Sequence, residues 1–287
     1  MVEHTAENRG VAGSSPALAI LSSNDLESRF RALHANGIFV MPNPWDVGSA
    51  KLLASMGFEA LATTSAGLAW SLCKLDMQVT RDELVSHVAA VAAATPLPLN
   101  VDSERCFPDD PGGVAETVRL LGEAGAAGCS IEDWNPVDGR IEDVGLAVER
   151  VGEAAAAARA FDPPLVLTGR CENHLRGVDD LDDTIARLVS YRDAGAECLY
   201  APWILTSEQI AAVVVAAPAP VNVLAAPAAP PVPELARLGV RRVSTGSLLA
   251  SAAYGALLAG ARELLGDGTS RYAGSSMSQA EREVAFG

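Results

Sequence analysis

Four segments of the chain repeat one device, in which a helical stretch stops at glycine and passes almost at once into a short apolar run. They read LLASMGFEALATTS, LLGEAGAAGCSIED, YRDAGAECLYAP and LARLGVRRVSTG, with Gly57, Gly125, Gly195 and Gly239 at the turn. Glycine suits the left-handed residue that closes a helix, because it has no Cβ to crowd the neighbouring carbonyl. A run that is apolar throughout, rather than alternating, is what a strand covered on both faces of a parallel sheet requires. The same pattern in the intervals places eight strands near 38–41, 60–64, 97–101, 128–131, 165–168, 198–200, 221–223 and 242–244. Between them lie amphipathic helices, such as the one carrying Val114, Val118 and Leu121 on one face. The spacing is about 30 residues per strand–helix unit, and eight units in about 250 residues is the size of a (β/α)8 barrel. A doubly wound open sheet would place a glycine-rich phosphate loop after its first strand, and MPNPWDVGSA is not one. No linker divides the middle of the chain. The expectation is an α/β fold: a (β/α)8 TIM-type barrel over 25–265, a disordered leader over 1–24 and a C-terminal helical extension over 266–287.

The leader carries Glu3 and Glu7 and has no basic start followed by an apolar core, so it does not read as a signal peptide. No apolar run reaches membrane-spanning length without a charge, Pro or Gly to break it. The formal charge of -15 over 287 residues argues against nucleic acid and anionic membranes, which need basic surface. An acidic protein that handles anions must gather its few cations locally or recruit a metal. The five cysteines include no CxxC pair and are odd in number, which suggests a reducing compartment and the cytoplasm.

In such a barrel the C-terminal strand ends carry the chemistry. The third predicted strand runs PLPLNVDSERCFPDDP and turns abruptly from apolar to charged. Asp102 and Glu104 stand there, Glu132 and Asp133 end the fourth strand, and Arg170 and Glu172 end the fifth. Taken singly, each is explained by a solvated loop or a helix cap. Carboxylates converging from three consecutive strands repel unless a cation sits among them, and a hard divalent ion, Mg2+ or Mn2+, is the natural resolution. The histidines argue against zinc: His4 is in the leader, His34 and His87 sit in helical patterns, and only His174 follows a strand end. Nothing places a nucleophile near His174 for a Ser-His-Asp arrangement.

TTSAGLAWSLCKLD, LPLNVDSE, GAAGCSIED, LTGRCEN and LGVRRVSTGSLLASAAYGAL, in that order over residues 28–265, together resemble the isocitrate lyase and phosphoenolpyruvate mutase superfamily. The resemblance implies a Mg2+-dependent barrel that binds 2-oxo acids or their enolates and makes or breaks a C–C or C–P bond beside that carbon. It also implies a homo-oligomer, a dimer or tetramer, with terminal helices exchanged between neighbours. By position, Asp102, Glu132 and Asp76 match the metal-shell carboxylates. Thr64, Ser65 and Ala66 match the segment that cradles the substrate carboxylate, Arg170 matches the arginine that holds the oxo acid, and Asn222 is placed with the substrate-binding residues. The family's aspartate pair on strand three reads Asn100 and Asp102 here, and Glu104, two residues on, is the expected compensation. The lysine- and cysteine-containing gating motif of the isocitrate and methylisocitrate lyases is replaced by IEDWNPVDGRIED, and the histidine of the mutases and phosphonopyruvate hydrolases falls at about Pro202.

The expected activity is therefore a carbon–carbon lyase or decarboxylase working on a small carboxylate, a 2-oxo acid or a 2-hydroxy di- or tricarboxylate, through an enolate. Glu104 or Glu172 would be its base and Cys106 a candidate proton donor. Phosphoenolpyruvate mutase or phosphonopyruvate hydrolase chemistry is the alternative, disfavoured because WNPVDG supplies no cation. A catalytically retired metabolite-binding barrel is the other. Cys129 and Cys198 read as small core residues, and Cys73 and Cys171 as packing near the site. Three of the four tryptophans follow strand ends, which suggests a pocket more apolar than isocitrate needs. LLASAAYGALLAGARELLGDG is apolar on more of its circumference than one barrel contact uses, so a second surface is expected against it.

Overall fold

The computed structural model describes residues 23–287. Its strands are β1 (Phe39–Met41), β2 (Leu61–Ala62), β3 (Leu99–Asp102), β4 (Gly128–Glu132), β5 (Trp134–Asn135), β6 (Arg140–Ile141), β7 (Val166–Arg170), β8 (Cys198–Tyr200), β9 (Val221–Leu224) and β10 (Arg242–Ser244). Eight of them form one parallel sheet in the order β1-β10-β9-β8-β7-β4-β3-β2. The Ala62 N–H donates to Pro42 O at 3.0 Å and brings the two edges together. All eight predicted strands are present. The antiparallel hairpin β5–β6 at the end of β4 was not foreseen, because two-residue strands leave no periodicity to read.

The helices are α1 (Ser23–Leu33), α2 (Val47–Ser55), α3 (Ser65–Ser71), α4 (Arg81–Ala94), α5 (Gly113–Glu123), α6 (Val144–Ala158), α7 (Leu181–Ala194), α8 (Ser207–Ala216), α9 (Val232–Arg237), α10 (Leu248–Gly266) and α11 (Gln279–Phe286). Gly57, Gly125, Gly195 and Gly239 have φ of +88°, +98°, +117° and +91°, the left-handed conformation their position in the repeat demanded. Outward residues of the strands, among them Val101, Ile131, Leu167, Leu199, Val223 and Val243, pack under the helices in the main core.

A smaller core closes the N-terminal end of the barrel. Helix α1 places Phe30 against Phe39, Met41, Ala60, Ala62 and Val166. Arg31 tethers the helix by pairing with Glu197 and donating to Pro164 O at 3.0 Å. A Cβ at Gly128 would lie 2.8 Å from Phe30 Cε1 and 2.6 Å from Val166 O, so only glycine lets the plug seat. The expected leader lies outside the described residues, except for its last two, which open α1.

At the other end of the chain stands the long helix α10. Of the 19 residues of α10 only Ala250 and Gly260 are buried, while Leu257, Leu258, Leu264 and Leu265 face outward. Leu248, at the start of the helix, packs with Tyr200, Leu224 and Ala226, so the outward apolar surface lies further along α10. By length and composition alone α10 matches a membrane span, and Gly255, Gly260, Arg262 and Glu263 interrupt its apolar run.

Candidate active site

A cavity of about 230 Å³ opens where the C-terminal ends of the strands meet. Side chains alternate along β3, and Asn100 and Asp102 point into this cavity. Asp102 is fixed on three sides. Its N–H donates to Thr63 Oγ1 at 2.9 Å, its Oδ2 accepts the Ser65 N–H at 3.2 Å, and its Oδ1 lies 3.3 Å from Arg170 Nη1. Ser65 opens α3, whose cap is Thr64: Thr64 Oγ1 accepts the Gly67 N–H at 3.3 Å. The Ser65 hydroxyl bonds to Asp76, so two carboxylates meet at one serine. Asp76 lies between Cys73 and Met77, both left-handed at φ +59° and +65°, and Trp203 on the opposite rim has φ +67°. Non-glycine residues held in that region gather where a site over-determines them.

Arg170 ends β7 with carboxylates on several sides. Its Nε donates to Glu172 Oε1 at 2.6 Å, and its Nη1 lies 3.4 Å from Glu132 Oε2 as well as near Asp102. Its guanidinium carbon stands 5.4 Å from the Tyr200 ring centroid. Glu172 in turn receives Arg176 Nε at 3.0 Å, and the Arg176 guanidinium lies 4.2 Å from the Trp134 ring centroid. Asp133 is structural. It accepts Tyr191 OH at 2.6 Å and the Glu172 N–H at 2.8 Å, which fixes the end of β7.

Of the residues expected here, Thr64, Ser65, Ala66, Asp76, Asp102, Arg170 and Asn222 line the cavity. Glu104, Glu132 and Glu172 do not; they form a layer directly behind its wall. Glu172 is fully buried with both oxygens taken by arginines, so it positions guanidinium groups and is not free to act as a base. Glu104 does not continue the alternation of β3, because the chain leaves the strand after Asp102 and Glu104 is left-handed at φ +51°. Burial, reinforced by the charges of Asp102 and Asp76, pushes its pKa up to about 8. Burial likewise pushes Glu132 well up against the pull of Arg170. Cys106 is corrected: it is fully buried in the main core, with its thiol 3.4 Å from Ser103 Oγ and pushed up to about 12 by burial, away from the cavity wall. Arg105 of the same loop pairs with Glu142 at 3.1 Å behind the barrel wall. Arg176, Tyr200 and Arg242 line the cavity and were missed.

Among the described residues no three His, Cys, Asp or Glu side chains already converge at metal-ligand distance. The donor set nevertheless fits Mg2+ or Mn2+. Asp102 and Asp76 offer hard oxygens across Ser65, and Asp76 is raised by partial loss of solvent and then by the Asp102 charge, a repulsion a cation removes. Magnesium takes one or two carboxylates and keeps several waters, so a third direct ligand is not needed.

Residues 30–265 match the sequence profile described as phosphoenolpyruvate phosphomutase. An uncharacterized protein of Mycobacterium tuberculosis is 35% identical over 228 residues, 78% of this chain and 83% of that one. An oxaloacetate decarboxylase of Rhodopseudomonas palustris is 34% identical over 155 residues, 53% of this chain and 52% of that one. A crystal structure from Burkholderia cenocepacia, whose activity is given no more closely than lyase/mutase, is 50% identical with a TM-score of 0.87 and covers 91% of this chain and 95% of its own.

Proposed function

Since the chain belongs to the phosphoenolpyruvate phosphomutase family, in the superfamily of isocitrate lyase and its relatives, and is an enzyme of that lyase type, we propose that it breaks a carbon–carbon bond beside the carbonyl or hydroxyl carbon of a small 2-oxo or 2-hydroxy acid, as a cytoplasmic enzyme. One observation carries the reading: Arg170 and Asp102 stand side by side in the cavity wall, with Nη1 and Oδ1 3.3 Å apart and the α3 N-terminus beside them. Arg170 Nη2 has no protein partner among the described residues, and it receives the carboxylate of the oxo acid. Asp102 and Asp76 would hold a Mg2+ or Mn2+ ion, which would supply Lewis-acid polarisation of the substrate oxygens.

The wall itself favours decarboxylation of an oxaloacetate-like acid over retro-aldol cleavage. Asp76 and Asp102 are the only carboxylates lining the cavity among the described residues, and both are committed to the mouth. Retro-aldol cleavage needs a base at the departing hydroxyl, whereas decarboxylation needs none. As the bond to the leaving carboxyl group breaks, its electron pair enters the enolate, carbon dioxide departs, and a proton returns to carbon. Tyr200 lines the cavity and burial raises its hydroxyl to about 12, so it stays protonated and returns that proton. Assay of oxaloacetate breakdown with and without EDTA tests this: full activity after chelation removes the metal, and no turnover of any 2-oxo acid removes the reading.

A second reading has support in Arg176, a cation at the mouth that the loop sequence did not reveal. A phosphonate-bearing acid would find a partner there, and a new 31P signal from phosphonopyruvate would favour C–P chemistry. The outward apolar face of α10 supports a homo-oligomer in which this helix packs on a neighbouring copy.

A further inference from the structure

A (β/α)8 barrel ordinarily fills its interior with layers of branched apolar side chains. Here the inward positions of β8, β9 and β10 carry Tyr200, Asn222, Arg242 and Ser244, all buried and all lining the cavity. They form one hydrogen-bonded file. Arg242 Nε donates to Asn222 Oδ1 at 2.9 Å, Asn222 Nδ2 donates to Ser244 Oγ at 2.9 Å, and the Ser244 hydroxyl bonds to the Tyr200 hydroxyl. Strand register builds the file: Asn222 stands beside Arg242 of β10 and beside Tyr200 of β8. Ser244 follows Arg242 by two residues and so shares its face.

The direction of each bond follows from which groups can donate. A guanidinium has no acceptor, so the Asn222 carbonyl oxygen faces Arg242 and its NH2 faces Ser244. Ser244 Oγ therefore accepts from Asn222 and keeps its single proton for the Tyr200 oxygen. A phenolic oxygen that accepts from serine keeps its own proton for the cavity, where it meets no protein acceptor among the described residues. We propose that Ser244 is a positioning residue for the return of the proton, held in its donor role by Asn222, and that it turns the Tyr200 hydroxyl toward the enolate carbon. This rests on the reading of Tyr200 given above. As the new C–H bond forms, the Tyr200 O–H bond breaks and its electron pair stays on the oxygen. The Ser244 hydroxyl donates to that phenolate, and the Arg170 guanidinium carbon stands 5.4 Å from the ring centroid. Water returns the proton to Tyr200 once the product has left. Ser244 thus aims the donor before transfer and steadies its charge afterwards, while Asn222 and Arg242 act only through Ser244.

A double-mutant cycle read by oxaloacetate decarboxylation with Mg2+ tests it. Ser244→Ala is expected to lower kcat by about 10-fold with KM unchanged, because it misdirects a proton donor and removes no binding charge. Ser244→Thr, which keeps a hydroxyl, should recover most of the rate. In the Tyr200→Phe background Ser244→Ala should cost nothing further, since residues that act as a unit are not additive. The ratio of kcat in H2O to kcat in D2O should rise in Ser244→Ala, as proton return becomes the slow step. A loss from Ser244→Ala that persists undiminished in the Tyr200→Phe background would make Ser244 a structural support and overturn the proposal. An unchanged kcat in Ser244→Ala would overturn it as well, and a slow Tyr200→Phe enzyme would leave the Tyr200 reading standing in either case. Wild-type activity in Tyr200→Phe, or no turnover of oxaloacetate by the wild-type protein, would sink both.

Discussion

The mouth and the floor of the barrel each hold an arginine nearly out of solvent, and they hold it in opposite ways. At the mouth Arg170 is ringed by Asp102, Glu132 and Glu172. At the floor Arg242, 2% exposed, has neutral partners: its Nε donates to Asn222 Oδ1 and its Nη2 to Thr168 Oγ1, both at 2.9 Å, and its Nη1 lies 3.3 Å from His34 Nε2. Burial, and then the Arg242 charge, push His34 down to about 3, so the ring stays neutral. Its Nδ1, 2.8 Å from Phe30 O, then carries the proton, and Nε2 accepts from Arg242. Thr168 precedes Arg170 by two residues on β7, which places this layer roughly 7 Å deeper. A cation among carboxylates can exchange partners with an incoming anion. A cation held by fixed dipoles has nothing to exchange, and it ties the plug helix α1 to β7, β9 and β10.

The comparison breaks most readily at the mouth. Arg170→Lys should lower kcat/KM by about 10³, the loss expected for a misplaced electrostatic contact, with little change in melting temperature. Tyr200→Phe should lower kcat by about 100-fold and KM little, because it removes a proton donor and no binding charge. Activity near wild type in Tyr200→Phe would assign the proton to water. At the floor the balance should reverse: Arg242→Met is expected to cost about 2 kcal/mol of stability by orphaning its acceptors, with kcat/KM within about tenfold. Abolished activity at unchanged stability there would make the floor part of the catalytic apparatus and end the distinction.

The smallest effect concerns Glu104, which faces Asp102, Asp76, Arg170 and Arg105. Its folded pKa of about 8 lies above its ordinary value, so the folded protein keeps a proton that the unfolded chain releases. That contribution is complete at low pH and is lost as pH rises toward 8. Melting curves of the metal-free protein should therefore fall between pH 5 and pH 8, and Glu104→Gln should flatten that slope. An unchanged slope in the variant would place the titration elsewhere.

The repeat of helix, glycine and apolar strand determined the barrel, because each unit is local: a helix stop and a strand buried on both faces are written within about a dozen residues. The same register puts Asp102 and Arg170 at strand ends, and both line the cavity, since side chains there follow the alternation of the strand. Where that alternation stopped, so did the legibility. Glu104 lies one turn beyond β3 in a left-handed conformation, and Cys106 turns into the core within the same loop. Only ring closure decided the remainder. Trp134 reaches Arg176 from another strand end, Arg170 meets Asp102 across 68 residues, and His34 meets Arg242 across 208 residues of chain. Sequence spacing fixes which face of a strand a residue occupies. The depth of that residue in the barrel, and its partner there, depend on how eight tilted strands are sheared when the sheet closes, a property of the whole ring that no single segment encodes.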